Sequence, residues 1–183
     1  MAENSKKSPQ TPPGFSRGEV QETRNSKRGT YMGYTTEFKG QIAIEPPLNA
    51  EEIEFLTNFN NTRRMNRKRG PYFVDGYGLR GQGHDDDVID YNGPPHGQPG
   101  LWCQWTPTPD GRFIQWDGGE KFYHAAAWMR YIIDHFISPD HIADMPFFQG
   151  HICSGSILAK GEDINDRWRL EVIDNDVKVI HLP

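Results

Sequence analysis

Acidic residues cluster in the stretch HDDDVID, residues 84–90. It places one imidazole and four carboxylates within seven positions, and carboxylate oxygens are ligands that Mg²⁺ and Mn²⁺ prefer. A divalent ion held there would activate water for the hydrolysis of a phosphodiester. The alternative is a solvated helix start, where the helix dipole and capping favour aspartates. The predicted metal ligands are His84, Asp85, Asp87 and Asp90.

A basic run, RRMNRKR at residues 63–69, precedes a segment rich in glycine and aromatic residues. Guanidinium groups bind phosphate through paired hydrogen bonds, and aromatic rings stack on bases. We therefore predict a site for a phosphate-bearing ligand, either a nucleotide or a short RNA. The competing explanation is that nearby aspartates neutralise the basic run. The predicted phosphate contacts are Arg63, Arg64, Arg67 and Arg80, and the predicted stacking residues are Tyr72, Tyr77 and Trp102.

Charge and hydropathy restrict the class of partner. The chain of 183 residues has a formal net charge of -5, which argues against sequence-independent binding of duplex DNA, because that mode needs many Lys and Arg contacts to phosphate. No apolar run approaches the roughly 18 residues that cross a bilayer, and the N-terminus lacks the apolar stretch of a signal peptide. Cys103 and Cys153 alternate with apolar neighbours, which favours two small buried residues over a disulfide or zinc site. We expect a cytoplasmic protein without a membrane partner.

The composition changes along the chain and indicates one folded domain. Residues 1–32 carry almost no apolar side chains, so we predict a disordered tail followed by a single domain at 33–183. Residues 60–100 are rich in glycine and proline but also contain several tyrosines, so we predict a folded insertion rather than a solvated linker.

The order of elements in the domain predicts an α+β fold. FKGQIAI alternates as a half-buried strand, and Asn49 with Glu52 forms a capping box for a helix over 50–59. LWCQWT and RFIQW form a hairpin, and Asp117 with Glu120 is a second capping box for a helix that reaches Phe136. Three more strands follow. Two strand–helix–strand units predict a ferredoxin-like antiparallel sheet with two helices on one face and a C-terminal β-hairpin.

The predicted second helix carries a polar and aromatic stripe beside its apolar one. The stripe consists of His124, Trp128, Tyr131 and His135, and the insertion is a candidate to cover it. Glu120 and His124 are four residues apart, a spacing that suits an acid–base pair on one helix face. Without a nucleophile motif in the sequence, no residue is assigned a catalytic role.

Four segments resemble a group of small uncharacterised proteins from bacteria and their phages: GQPGLWCQW (97–105), WDGGEKFY (116–123), MGYTTEF (32–38) and GQGHDDDVIDYN (81–92). The resemblance runs from about residue 32 to the C-terminus. It implies a cytoplasmic protein carried by mobile elements and implies no catalytic residues. A third hypothesis is therefore a protein-interaction module that inhibits a host protein, with exposed aromatic residues as the interface hot spot.

Overall fold

The computed structural model describes residues 33–74 and 85–183. Gly33–Pro183 forms one compact unit. The predicted tail at 1–32 lies outside the described residues, as do Tyr77, Arg80 and His84 of the predicted sites. Within the described ranges no helix is long and apolar enough to cross a membrane.

The described part of the chain contains eight strands and two helices. Helix α2 continues into a π-helical turn at Ile133–Ile137, where the N–H of Ser138 donates to the carbonyl of Ile133 at 2.8 Å. The elements are β1 (Thr36–Glu45), α1 (Ala50–Asn61), β2 (Asn66–Arg67), β3 (Val88–Asp90), β4 (Trp105–Pro107), β5 (Phe113–Trp116), α2 (Ala125–Ile132), β6 (Ile152–Gly161), β7 (Arg167–Ile173) and β8 (Asp176–His181).

Six of the strands form one sheet in the order β4-β5-β1-β6-β7-β8. Every neighbouring pair is antiparallel, so the predicted α+β class is confirmed. The longest pairing joins β1 to β6 over their full lengths, from Thr36 opposite Gly161 to Glu45 opposite Ile152. Strands β7 and β8 are connected through Asp174 and Asn175, which both have positive φ.

One face of the sheet is covered by the helices and the other is exposed. Because successive side chains in a strand point to opposite faces, the sheet alternates between core and surface. Inward residues of the sheet join the buried residues of both helices in one core. This core includes Phe38, Ile42, Ile44, Cys153, Ile157, Leu170 and Val172 from the sheet, and Leu56, Phe59, Trp128, Met129 and Ile132 from the helices. The exposed face includes Lys39, Gln41, Ser154, Leu158 and Lys178.

The first turn of α1 is held by the predicted capping box, which is confirmed. Asn49 Oδ1 accepts the N–H groups of Glu51 and Glu52 at 2.9 and 3.0 Å. Glu52 Oε2 accepts the N–H of Asn49 at 2.6 Å. The helix therefore begins where two side chains satisfy its first donors, as the sequence indicated.

Glu52 also joins α1 to the segment that precedes β6. Its Oε1 accepts the N–H of Gln149 at 2.8 Å and lies 2.9 Å from His151 Nε2. His151 Nδ1 lies 2.6 Å from the carbonyl oxygen of Pro46. Both side chains are fully buried. One carboxylate thus connects the loop after β1, the start of α1 and the chain leading to β6.

The predicted capping box at Asp117 and Glu120 is wrong. Asp117 Oδ1 accepts the N–H of Gly119 at 2.7 Å, and Gly118 has φ 85°, so the chain turns at this point. The helix begins at Ala125, after His124 in the left-handed region at φ 59°. A short side chain that bonds its own backbone two residues away offers the chain a local alternative to a helix. Residues 118–124 are therefore a loop.

The described parts of the predicted insertion are folded. Strands β2 and β3 pair antiparallel, with Asn66 opposite Asp90 and Arg67 opposite Val88. The N–H of Lys68 donates to the carbonyl of Asp87 at 2.8 Å. These contacts bring together two described parts of the segment, and its folding as one insertion over 60–100 stays a prediction.

Replacing Glu52 tests its role as a junction. Glu52→Gln keeps the size of the side chain but removes the charge and turns an amide toward N–H donors. We expect a loss of about 3 kcal/mol in the free energy of unfolding, because one partner of a buried pair is lost. Urea denaturation measures it. Glu54→Gln, at an exposed position of the same helix, should change stability by less than about 0.5 kcal/mol. Equal effects of the two changes would contradict the assigned role.

Candidate functional site

A cavity of about 570 Å³ lies between the end of the insertion and the loop that precedes α2. We call it the Trp102 cavity. One wall comes from residues 94–104 and the other from residues 120–124. Its lining residues are Pro94, Pro99, Gly100, Leu101, Trp102, Gln104, Glu120, Lys121, Tyr123 and His124.

The wall that contains Trp102 is held by α1 and the residues after it. The backbone N–H of Arg64 donates to the carbonyl of Leu101 at 2.8 Å. The amide of Asn60 donates to the carbonyl of Cys103 at 2.9 Å and to Asp117 at 3.0 Å. These bonds take up backbone groups of 101–103, which explains why the strand predicted over 101–106 is shorter and β4 begins at Trp105.

The opposite wall depends on two residues with left-handed backbone. Lys121 has φ 58° and His124 has φ 59°, values that are uncommon outside glycine. The amide of Gln104 donates to the carbonyl of Glu120 at 2.9 Å and so connects the two walls. The indole N–H of Trp105 donates to the carbonyl of Ala125 at 2.7 Å and holds the start of α2.

The cavity combines an apolar surface with groups of both charges at its rim. Trp102 is half-buried, whereas Glu120, Lys121 and His124 are exposed and Tyr123 is 52% exposed. Flat apolar side chains suit a planar group, and an ammonium and an imidazole suit an anion. The carboxylate of Glu120 reduces the positive charge that Lys121 gives to the rim. The arrangement suits binding of a planar ligand that carries a negative group.

Arg64 does not face this cavity, contrary to its predicted role as a phosphate contact. Its side chain is 2% exposed and donates to the carbonyls of Pro71 and Phe73 at 2.9 and 2.6 Å. The guanidinium carbon lies 4.1 Å from the ring centroid of Phe59. A cation held this way is withdrawn from solvent, so the structure assigns Arg64 to holding the insertion on the core.

Arg67 is also buried, at 4% exposure, and meets carboxylates of the predicted metal site. Its NH1 lies 3.1 Å from Asp85 and 2.9 Å from Asp87, and Asp87 also lies 3.2 Å from Arg69 Nε. The competing explanation, neutralisation of the basic run by the aspartates, therefore describes Arg67. This corrects its predicted phosphate role, because a buried guanidinium between two carboxylates has little positive field to offer an anion.

The remaining predicted metal ligands do not converge in the described structure. Asp90 Oδ1 accepts the N–H of Asn92 at 2.9 Å, while Asp85 and Asp87 face Arg67. Among residues 33–74 and 85–183, no three His, Cys, Asp or Glu side chains are grouped to hold a metal ion. His84 lies outside the described residues, so the complete ligand set for Mg²⁺ or Mn²⁺ stays a prediction.

The side chains of Arg63 and Tyr72 each contact another residue of the protein. Arg63 donates to the carbonyl of Tyr91 and its guanidinium carbon lies 4.1 Å from the centroid of that ring. The hydroxyl of Tyr72 lies 2.7 Å from His135 Nδ1. Burial raises the pKa of Tyr72 and lowers the pKa of His135, which favours the uncharged form of both. Tyr72 thereby links the insertion to the π-helical turn.

Trp102 is the predicted ligand residue that lines the cavity within the described ranges. The sequence interpretation missed Lys121 and Tyr123, because the second capping box assigned both to a helix. Glu120 and His124 line the cavity together, but from a loop rather than from the predicted helix face. The pair Asp117-Gly118 was the signal for this loop, since aspartate and glycine are typical turn residues.

Both cysteines are free thiols and are buried, as predicted. Burial raises the pKa of Cys103 and of Cys153 to about 12. A thiol with that pKa is protonated at neutral pH and is a poor nucleophile. The chemistry of the cavity therefore belongs to its oxygen and nitrogen groups.

The comparisons with known proteins assign the chain to no family: no family model, no curated protein and no solved structure matches it. The resemblance to bacterial and phage proteins stays a prediction. The function of the Trp102 cavity is therefore argued from its own residues.

The reassignment of Arg64 is tested by replacing its side chain. Arg64→Met keeps most of the volume but loses the donors to Pro71 and Phe73, so we expect a loss of about 3 kcal/mol in unfolding free energy. Arg69→Met is the matched control, since its side chain is 57% exposed, and should cost less than about 1 kcal/mol. Urea denaturation of both variants decides between the roles. An Arg64→Met protein of unchanged stability would restore Arg64 as a candidate ligand contact.

Proposed function

We propose that this protein binds a phosphate-bearing ligand with a planar ring, a nucleotide or the end of a short RNA, in the Trp102 cavity. The observation that supports this most is the meeting of Trp102 and Tyr123 with Lys121 and His124 around one cavity of about 570 Å³. Small-molecule sites usually have volumes of about 300 to 1,000 Å³, with apolar walls and a few polar groups.

The two parts of such a ligand would meet different parts of the cavity. The base stacks on Trp102, an interaction worth about 1 to 3 kcal/mol per base. The phosphate meets the ammonium of Lys121 and the imidazole of His124 at the exposed rim. Glu120 opposes the phosphate, so the balance between Glu120 and Lys121 sets the affinity for the anion.

We further infer that the cavity is built on a ferredoxin-like unit. The order β4-β5-β1-β6 within the sheet and the succession strand, helix, two strands, helix, strand support this assignment. In this interpretation β7 and β8 are a C-terminal hairpin added beyond β6. The cavity then lies on the side of the unit where the insertion leaves α1 and the loop enters α2.

The charge assignment is tested with two changes of opposite sign. Lys121→Gln should weaken the binding of AMP and Glu120→Gln should strengthen it, each by about threefold to tenfold, because both groups lie at the exposed rim. Isothermal titration calorimetry on the full chain measures both. Trp102→Ala should weaken AMP by about tenfold or more through loss of stacking.

A matched control for charge is Lys160→Gln, on the exposed face of the sheet, which should leave the affinity for AMP unchanged within about twofold. Unchanged affinity in Lys121→Gln and Glu120→Gln would contradict the assigned rim. Absence of AMP binding by the unaltered protein, with Kd above about 1 mM, would contradict the proposed function.

A further inference from the structure

A second cavity, of about 320 Å³, lies next to the Trp102 cavity. Tyr123 and His124 line both cavities, so these two residues form a shared wall. We call the second space the Trp168 cavity, after the half-buried indole in its lining. It is open to solvent, because His124 is exposed and Val179, which also lines it, is 44% exposed. A ligand that extends past the shared wall therefore enters this cavity.

The Trp168 cavity exists because α2 covers only part of the inward face of the sheet. Val177 and Val179 of β8 point to the same face, since side chains two positions apart in a strand share a face. Arg130 of α2 donates to the carbonyl of Val177 at 2.7 Å, and Val177 is 3% exposed. Val179 is 44% exposed. The helix thus closes the core at Val177 and leaves the inward face open at Val179.

The open end of the sheet carries aromatic rings. Ala159 lies opposite Phe38 in the strand pairing, and Trp168 lies opposite both Ala159 and His181. The rings of Phe38 and Trp168 meet edge to face, with their centroids 5.8 Å apart. The first turn of α2, three alanines at residues 125–127, lines the same cavity. Because an alanine side chain is a single methyl group, this turn leaves space beside the rings.

The lining of the Trp168 cavity suits a planar neutral group better than a second phosphate. In the part of the chain that the structure describes, this lining contains no Lys or Arg. It does contain Asp166, which accepts a hydrogen bond from the hydroxyl of Tyr34, and a carboxylate repels phosphate. Aromatic rings suit a nucleobase, since every base has a face that stacks. The charged part of a ligand is therefore directed to the shared wall and to Lys121 in the Trp102 cavity.

Resting on the function proposed above, we infer that the ligand is a nucleic-acid strand of at least two nucleotides, with one base on Trp102 and the next base on Trp168. The phosphodiester between the two bases then lies at His124, in the wall that both cavities share. Every step of a strand has this order of base, phosphodiester and base. The end of a short RNA fits both cavities, whereas a mononucleotide fills the Trp102 cavity alone.

Two ligands isolate the contribution of the second base. ApA is AMP with an adenosine esterified to its phosphate. Adenosine 5′-methyl phosphate has the same diester and the same charge but lacks the second base. In isothermal titration calorimetry on the full chain, ApA should bind at least about fivefold more tightly than the methyl ester, because its second base stacks on Trp168.

Two variants remove the proposed site for the second base. Trp168→Ala deletes the stacking surface, and Ala126→Leu enlarges a side chain that lines the Trp168 cavity. Each should lower the affinity for ApA to that of the methyl ester, and each should change the affinity for the methyl ester by less than about twofold. The matched control is Leu158→Ala, on the exposed face of the sheet, which should keep the preference for ApA.

A measurement on the unaltered protein covers the case in which a variant does not fold. With ApA bound, nuclear Overhauser contacts should join adenine protons to the ring protons of Trp168. With the methyl ester bound, these contacts should be absent, because its one base lies on Trp102. Contacts of the second adenine with other residues only would overturn the inference.

Failure of the second base site is distinguishable from failure of the proposed function. If both ligands bind the unaltered protein with the same affinity within about twofold, the Trp168 site is overturned and the binding function stands. A preference for ApA that survives in folded Trp168→Ala and Ala126→Leu overturns the site as well. If neither AMP nor ApA binds the unaltered protein, the proposed function fails and this inference fails with it. Selective loss of ApA affinity in the variants supports both.

Discussion

The Trp102 cavity depends on the way Arg64 attaches the insertion to the core. Its side chain donates to the carbonyls of Pro71 and Phe73, and its backbone N–H donates to the carbonyl of Leu101. A single residue thus holds both the segment after α1 and the segment that carries Gly100 and Trp102. The two side-chain bonds come from a buried, charged guanidinium, so each is stronger than a bond between neutral groups at the surface. The position of the cavity wall follows from this attachment.

Inside this protein, buried charged side chains mainly hold loops in place. Arg67 meets Asp85 and Asp87, and Glu52 meets the chain before β6. A buried charge must be paired or hydrogen-bonded, since its transfer from water costs several kcal/mol. Once paired, it specifies which segments come together. A high density of charged residues along the chain therefore does not indicate which of them face solvent in this protein.

The cavity exists because the chain forms a loop where a longer helix was predicted. A helix from Asp117 onward would place Lys121 and Tyr123 on a regular surface with no concavity between them and residues 94–104. The left-handed residues Lys121 and His124 turn the chain instead, and α2 begins at Ala125. Conformations of this kind persist where surrounding contacts hold them, here the bonds from Gln104 and Trp105 to neighbouring carbonyls.

The sequence by itself determined those features that depend on neighbours within a few residues. The capping box at Asn49, the alternation of β1 and the turn between β4 and β5 are set by side chains that meet their partners locally, so periodicity and turn residues were sufficient. Cys103 and Cys153 were assigned to the core for the same reason, since alternation along a strand decides the face.

Only the tertiary structure decided where the charged residues of the insertion point. The carbonyls that accept from Arg64 and the carboxylates that surround Arg67 are positioned by the folding of the insertion, and no periodic pattern encodes that folding. The loop after Asp117 is likewise held by donors in Gln104 and Trp105, which are distant in sequence from the carbonyls of Glu120 and Ala125 that accept from them. Local patterns therefore located the region of the site and the tryptophan in it, whereas contacts between distant segments selected the remaining residues that line it.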